Sequence, residues 1–473
     1  MELLNIIGVA SVFLITGYIG YRSSKSIKSM DDFTLGGRNI GKIQAGFSMA
    51  ATEFGGSSFL GAMAFCYTVG ISGIWWDWCA IPAFLLLGIF FVKKIKLPKL
   101  VTITDFFEQR YDKKTKYLCS FLHILATIAQ IAAQFTIGAV ALNGIIGVPI
   151  NIGLSLTFTF VVLYTISGGF VAVVNTDIVQ FIFLIGSILI SVPIAIASSG
   201  GSENIILSLP QNFLKFDQVP VSTVISWTLF SLFSYSTSQH YIQRIFASKD
   251  VSTARFSFIF TGIMYFFYGL AVAIIGICIL ILMPQLNDPN LGYALFVKNY
   301  LPVGISGIAL GGIFAASMST ADSMILAAST LFINDIYLPY AEKKITNLKQ
   351  KHKLKMTRII TVLISIGGVI ISLISDNLID IAYLGGLFYS TAVFMPLILG
   401  LYWDKATTKG AYYSIIITVL VGLFCDFFLA GKVNGILGLP SNIIAIVVGT
   451  VVFIGISLIT SKPSEKTVEF SQK

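Results

Sequence analysis

The sequence predicts an all-α polytopic membrane protein, and three observations predict it. Hydrophobic residues make up 56% and charged residues 11% of 473, with a mean hydropathy of +0.86, whereas about a quarter of a soluble domain is charged. Apolar windows of about 20 residues, the length that crosses a bilayer as helix, recur along the chain. Basic residues collect on alternate intervals between those windows: 28 of the 31 lie in 21–42, 93–116, 242–256, 336–358, 403–409 and 461–473. That alternation accounts for the net charge of +9 through the positive-inside rule and leaves nucleic acid without a role.

Taken in order, the windows give about thirteen transmembrane helices: 3–21, 43–70, 73–92, 117–146, 150–171, 177–198, 222–241, 257–283, 302–335, 359–375, 379–402, 410–430 and 441–460. The first run, Leu3 to Tyr21, has no basic n-region or small-residue cleavage signal and reads as a retained helix. An odd number of spans with this charge pattern places the N-terminus outside and the C-terminus inside. The runs KKIKLPK at 93–99 and KQKHKLK at 349–355 then act as orientation signals at the lipid surface. Polar intervals never exceed about 25 residues, short of the ~50 that an independent core needs. Of the outer intervals, 284–301 offers an apolar face of Leu291, Tyr293, Phe296 and Val297, suited to an interfacial helix. Cys66, Cys79, Cys119, Cys278 and Cys425 all fall in apolar segments without CxxC spacing, so they predict neither disulfide nor transition-metal site. No organic cofactor is implied.

One span is interrupted at its centre. Ile43 to Tyr67 carries Thr52, Glu53, Gly55, Gly56, Ser57 and Ser58 at its midpoint. A carboxylate at bilayer depth costs about 2.5–3.5 kcal/mol, and each glycine weakens a helix by about 1 kcal/mol. Unwound backbone there frees carbonyls for a cation and amides for a solute. A counterpart lies at 222–243, where eight of the ten residues from Ser231 to His240 are polar, although glycine and proline are absent. Five spans starting from each give two halves of opposite orientation, 43–198 and 222–402, joined by an outer loop 199–221. Residues 1–42 supply a first helix and loop, and 403–473 two peripheral helices with a short tail.

The chemistry concentrates in the span 302–335. Ala316, Ser319, Thr320 and Ser323 fall at i, i+3, i+4 and i+7 on one helical face, with Asp322 beside them. Hydroxyls and carbonyls with few carboxylates suit a monovalent hard cation; the same small residues also serve close helix packing. Asp177, in the run SGGFVAVVNTDIVQ, is expected at the N-terminal end of its helix, where a carboxylate caps the helix or lies on an ion path.

With these residues in view, ATEFGG after FTLGGRNIG, GGFVAVVNTDIVQ, QHYIQRIFAS and FAASMSTADS together resemble the sodium:solute symporter family, collinear over about residues 30–400. The resemblance implies a LeuT-like 5+5 inverted-repeat core. It also implies a sodium site built from the carbonyls of Ala51, Phe54 and Ala316 and the hydroxyls of Ser319 and Thr320. A second sodium or coupling site of some members would fall on Asp177, Ser319, Asp322 and Ser323. Asp322 stands where the sialic acid transporter has Ser, which leaves one or two ions open. Glu53 replaces an Asp of the proline transporter, in a position to hold sodium or a substrate ammonium.

The solute pocket implied is walled by Glu53, Gly55, Ser58, Trp76, Asp77, Gln130, Gln134, Ser231 and Tyr235. Ser231 replaces a Trp, and Gln239 a Pro, of the proline transporter, which argues against proline itself. Glu53 and Asp77, with no Lys or Arg in these spans, favour a neutral, zwitterionic or cationic solute such as an amino acid. For Gln130 and Gln134 an interhelical hydrogen bond explains their spacing equally well.

The sequence therefore predicts a sodium-coupled symporter that imports a small organic solute by alternating access. It would sit in a cell membrane of bacterial inner-membrane type, since no N-x-S/T sequon occurs. Sodium, the solute and the bilayer are its expected partners, without nucleic acid or an obligate protein partner. A proton-coupled, carboxylate or sugar carrier of the same fold is the alternative. HExxH and GxSxG are absent, so no enzyme is predicted.

Overall fold

The computed structural model describes residues 2–97, 100–345, 348–374, 378–429 and 441–460, and among them every extended element is a helix. The first is α1, Glu2–Ser24. The interrupted span forms α2, Lys42–Glu53, and α3, Ala62–Val69, separated at Phe54. After a chain of short helices from Trp75 to Ile95 come α4, Lys113–Ile146, and α5, Ile150–Ser198. The second interrupted span gives α6, Val221–Thr237, and α7, Gln239–Ala247, broken at Ser238 in extended conformation. Then follow α8, Val251–Leu282, α9, Ile305–Leu331, α10, Gln350–Ile374, and α11, Leu378–Tyr402. The last are α12, Thr408–Leu429, and α13, Ser441–Ile459.

Nine stretches among the described residues are long and apolar enough to cross a membrane, where the sequence reading sets thirteen spans. The spans expected at 150–171 and 177–198 run together as the 49 residues of α5, and those at 43–70 and 73–92 share the stretch Ser58–Ile95. The break at Ser238 leaves only 17 residues in α6. In 379–402 the apolar stretch described is Tyr389–Tyr402.

The bend that divides α5 is Gly169, at φ 51° and ψ −142°, a region closed to residues with a Cβ. A Cβ there would stand 2.4 Å from the Phe33 carbonyl oxygen. Helix resumes directly after it, so Asp177 sits about two turns inside α5 and not at a helix start, correcting the sequence expectation. The apolar face at 291–300 is corrected too: Tyr293, Phe296 and Val297 are buried against protein, with Tyr293 Oη 2.9 Å from Ser191 Oγ.

At the centre lies α9, packed by α5, α4 and α1; 94% of its apolar window is enclosed. No face of it needs to dissolve in lipid, which is why it can carry Ser317, Ser319, Thr320, Asp322 and Ser323 at membrane depth. Close approach depends on small residues: a Cβ on Gly312 would meet Ser187 Oγ at 2.1 Å.

Five of the six basic intervals gather at one end; the sixth, 461–473, lies outside the described residues. Ile40 pairs with Ser248, its N–H donating to the Ala247 carbonyl at 3.1 Å. Lys96 donates from Nζ to the carbonyls of Ile245 and Ser248 at 2.7 and 2.6 Å, satisfying the end of α7. Beside them Asp335 is buried beneath Lys116, Nζ to Oδ1 3.4 Å, and accepts hydrogen bonds from Thr102 at 3.0 Å, Ser120 at 2.5 Å and Thr104. Lys116 also pairs with Asp105 at 2.7 Å and Glu108 at 2.8 Å.

Removing one member of such a buried pair costs about 3–5 kcal/mol. Asp335→Ala should accordingly lower the melting temperature of the purified protein by about 3–5 °C, with Asp335→Asn losing less because it keeps an acceptor for the three hydroxyls. An unchanged melting curve for Asp335→Ala would show that this cluster does not hold the end of the bundle together.

Candidate functional site

The site grows from the break. Where α2 stops at Glu53, Phe54 takes φ −77° and ψ 40° and its N–H still bonds the Ala50 carbonyl at 2.9 Å. The next two carbonyls are released from the helix, and α9 supplies hydroxyls for both. Ser319 Oγ donates to the Ala51 carbonyl at 2.7 Å, and Thr320 Oγ1 donates to the Thr52 carbonyl at 2.8 Å. Both hydroxyls also lie within reach of the Ala316 carbonyl, at 3.1 and 3.2 Å. Four of the five residues expected around sodium thus share one hydrogen-bonded cluster. Phe54, the fifth, is buried at the break with its ring stacked 4.1 Å from that of Tyr268.

The approach is allowed by Gly55, where a Cβ would fall 2.1 Å from Thr320 Oγ1. A hydroxyl has one proton and two lone pairs, so each of these can turn to present an acceptor to a cation. Oxygens of this kind and number suit sodium as cargo.

The residues expected at a second site, Asp177, Asp322 and Ser323, are all buried. The sequence reading left Arg244 among the basic residues of an inner loop; the structure buries it at 1% exposure on α7. Its Nη2 donates to Asp177 Oδ2 at 3.0 Å, Ser323 Oγ at 2.8 Å and Thr52 Oγ1 at 2.5 Å. Ser48 Oγ donates to the same Asp177 oxygen at 2.5 Å and accepts from Arg244 Nε at 3.0 Å. Asp322 lies beyond this knot, accepting from Tyr164 Oη at 2.6 Å and Ser323 Oγ at 3.2 Å. The arginine had one signal in the sequence: in QHYIQRIFA it follows His240 by one turn on a helix that is buried throughout.

On the other side of the break lies a cavity of about 270 Å³. Glu53, Gly55, Ser58, Trp76, Asp77, Gln130, Gln134, Ser231 and Tyr235 all line it, joined by Trp227, Phe230, Tyr241, Tyr265 and Thr320. Glu53 is held by three phenols: Tyr235 and Tyr265 donate to Oε1 at 2.5 and 2.7 Å, and Tyr241 donates to Oε2. Tyr241 and Tyr265 were not singled out from sequence, because each sits in an apolar or amphipathic run nearly 200 residues away. Asp77 accepts from Ser58 Oγ at 2.8 Å through Oδ1.

Known proteins share this arrangement of chain. The sodium/glucose cotransporter of Vibrio parahaemolyticus is 26% identical over 85% of this chain and 80% of its own. The osmoregulated proline transporter of Bacillus subtilis is 24% identical over 98% of this chain and 96% of its own. A solved Na+-coupled sialic acid symporter, substrate-bound and outward-open, superposes with a TM-score of 0.85 over 97% of this chain and 98% of its own at 19% identity, which establishes the LeuT-like fold. The family model for the sodium:solute symporter family matches residues 33–418. A broken helix closed by the hydroxyls of α9, in a chain matched over most of its length, belongs to the sodium:solute symporter family, a multi-pass transporter of the cell membrane.

Proposed function

We propose that one sodium ion binds at the end of α2, among Ala51, Phe54, Ala316, Ser319 and Thr320, and couples to a small organic solute in the cavity beside it. The observation that carries this reading is the double position of Thr320. Its hydroxyl bonds the released carbonyl of Thr52 and its side chain lines the solute cavity. A cation there competes with two hydroxyl-to-carbonyl bonds, turns both hydroxyls and fixes the cavity wall. Solute and sodium then each bind better with the other present, as coupling requires.

Arg244 supports a stoichiometry of one. A fixed guanidinium already neutralises Asp177 and bonds Ser323, two of the residues a second sodium would need. We read this knot as a gate joining α2, α5, α7 and α9 at the end where the basic intervals gather, which the positive-inside rule assigns to the cytoplasm. Sodium would leave past it when the bundle rocks, the halves 43–198 and 222–402 moving about their two breaks. The N-terminus is then outside and the C-terminus inside. The membrane potential adds about 2.3 kcal/mol per charge per 100 mV, so one sodium concentrates a neutral solute about 50-fold at 100 mV.

Two measurements test this. Sodium, against potassium at equal ionic strength, should raise the melting temperature of the purified protein, and Ser319→Ala or Thr320→Ala should weaken the sodium response about tenfold or more, the worth of one lost ligand. A sodium response that survives both substitutions, or one matched by potassium, would move the ion elsewhere. The same titration should follow a single-site isotherm, with a Hill coefficient of about 1; a coefficient near 2 would restore the second ion and refute the reading of Arg244.

A further inference from the structure

The cavity beside the break also constrains what it holds, and resting on the proposed solute site we infer that the solute is a small protonated amine whose N–H groups bind Asp77 and Gln134. Two carboxylates, Glu53 and Asp77, line the cavity, and among the described residues no Lys, Arg or His does. A carboxylate on the solute would face these two like charges with only the proposed sodium as counter-ion, which weighs against anions and zwitterionic amino acids.

Two buried acceptors are left over among the lining residues. Three phenols direct their protons at Glu53, Ser58 directs its own at Asp77, and Thr320 directs its own at the Thr52 carbonyl. Asp77, 2% exposed, leaves Oδ2 without a partner, and Gln134, 5% exposed, leaves Oε1 without one. Buried acceptors are almost always paired, so two of them on residues that line one cavity call for a donor there. A neutral polyol brings acceptors along with its donors and adds no charge to balance two carboxylates. An ammonium group brings donors alone and a compensating charge.

The remaining wall suits a cation with an apolar body. Trp76 and Trp227 meet edge to face at 5.3 Å, and Phe230, Tyr235 and Tyr265 continue the aromatic surface. A cavity of about 270 Å³ confines the amine to a small molecule.

The probes are benzylamine, its N,N,N-trimethyl derivative, benzyl alcohol and phenylglycine, each read as a melting shift of the full-length protein in sodium and in potassium. Benzylamine should stabilise in sodium and much less in potassium. The alcohol and the zwitterion should fall at least about tenfold short of it in apparent affinity, and so should the trimethyl derivative, which has no N–H to donate. Asp77→Asn should lose benzylamine binding while its response to sodium alone persists, and Gln134→Leu should weaken it. Equal binding of the alcohol, the zwitterion or the trimethyl derivative overturns the inference, as does benzylamine affinity retained in Asp77→Asn. No amine response alongside an intact sodium response overturns this inference only. Amine binding indifferent to sodium instead refutes the coupled reading on which it rests.

Discussion

Two backbone carbonyls decide much of this architecture. Ending α2 at Glu53 releases the Ala51 and Thr52 oxygens inside a bundle where no bulk water can pair them, and each unsatisfied group there costs several kcal/mol. Only a neighbouring helix can meet them, and it must bring hydroxyls to the right depth. That requirement places α9 at the centre, since a helix carrying three serines, a threonine and an aspartate in seven residues has no face fit for lipid. It then requires glycines where α9 crosses α1 and α5 and at the break itself, because a single Cβ would separate the hydroxyls from the carbonyls they serve. The composition of four helices follows from one interruption.

The buried charges are partitioned on the two sides of that interruption. Toward the solute cavity stand Glu53 and Asp77, balanced by phenol and serine protons but by no cation. Toward the basic end stand Asp177 and Asp322, with Arg244 between Asp177, Ser323 and Thr52. Thr52 belongs to both sets: its carbonyl accepts from Thr320, and its hydroxyl accepts from Arg244. A shift of α2 against α9 must therefore disturb the cation site and the arginine knot together. Such a coupling needs no long pathway, because a single residue carries it.

What could be read in advance divides by the range of the interaction. The break itself was legible, since glycines and a carboxylate in mid-span are local signals, and so was the α9 face, since helical periodicity brings Ser319, Thr320 and Ser323 together without any partner. The nine residues expected around a solute all line one cavity. Three of the basic intervals also meet at one end, through Ile40 with Ser248 and Lys96 with Ile245. Arg244 was not legible, because counting charges by interval gives every arginine the same meaning, and whether one turns inward depends on an aspartate 67 residues earlier in the chain. The phenol cage of Glu53 was hidden for the same reason, its partners being 182 to 212 residues distant. Asp177 was placed at a helix start because Asn and Thr before it look like a terminus, whereas the bend lies earlier, at Gly169, where Phe33 occupies the space a side chain would fill.

The phenol cage also bears on how a glutamate is tolerated beside the proposed sodium site. A free carboxylate one residue from the released carbonyls would compete with them as a ligand for the cation proposed there. Three hydroxyl protons from α6, α7 and α8 occupy Glu53 on both oxygens, keeping its charge near the break while denying it a ligand position. Because two of those phenols, Tyr235 and Tyr241, come from the two pieces of the second interrupted span, a rearrangement at Ser238 would loosen the cage and change the field at the proposed ion site. The two breaks are thereby linked through one carboxylate, and a carrier needs such a link if its ion is to bind firmly in one state and leave in the next.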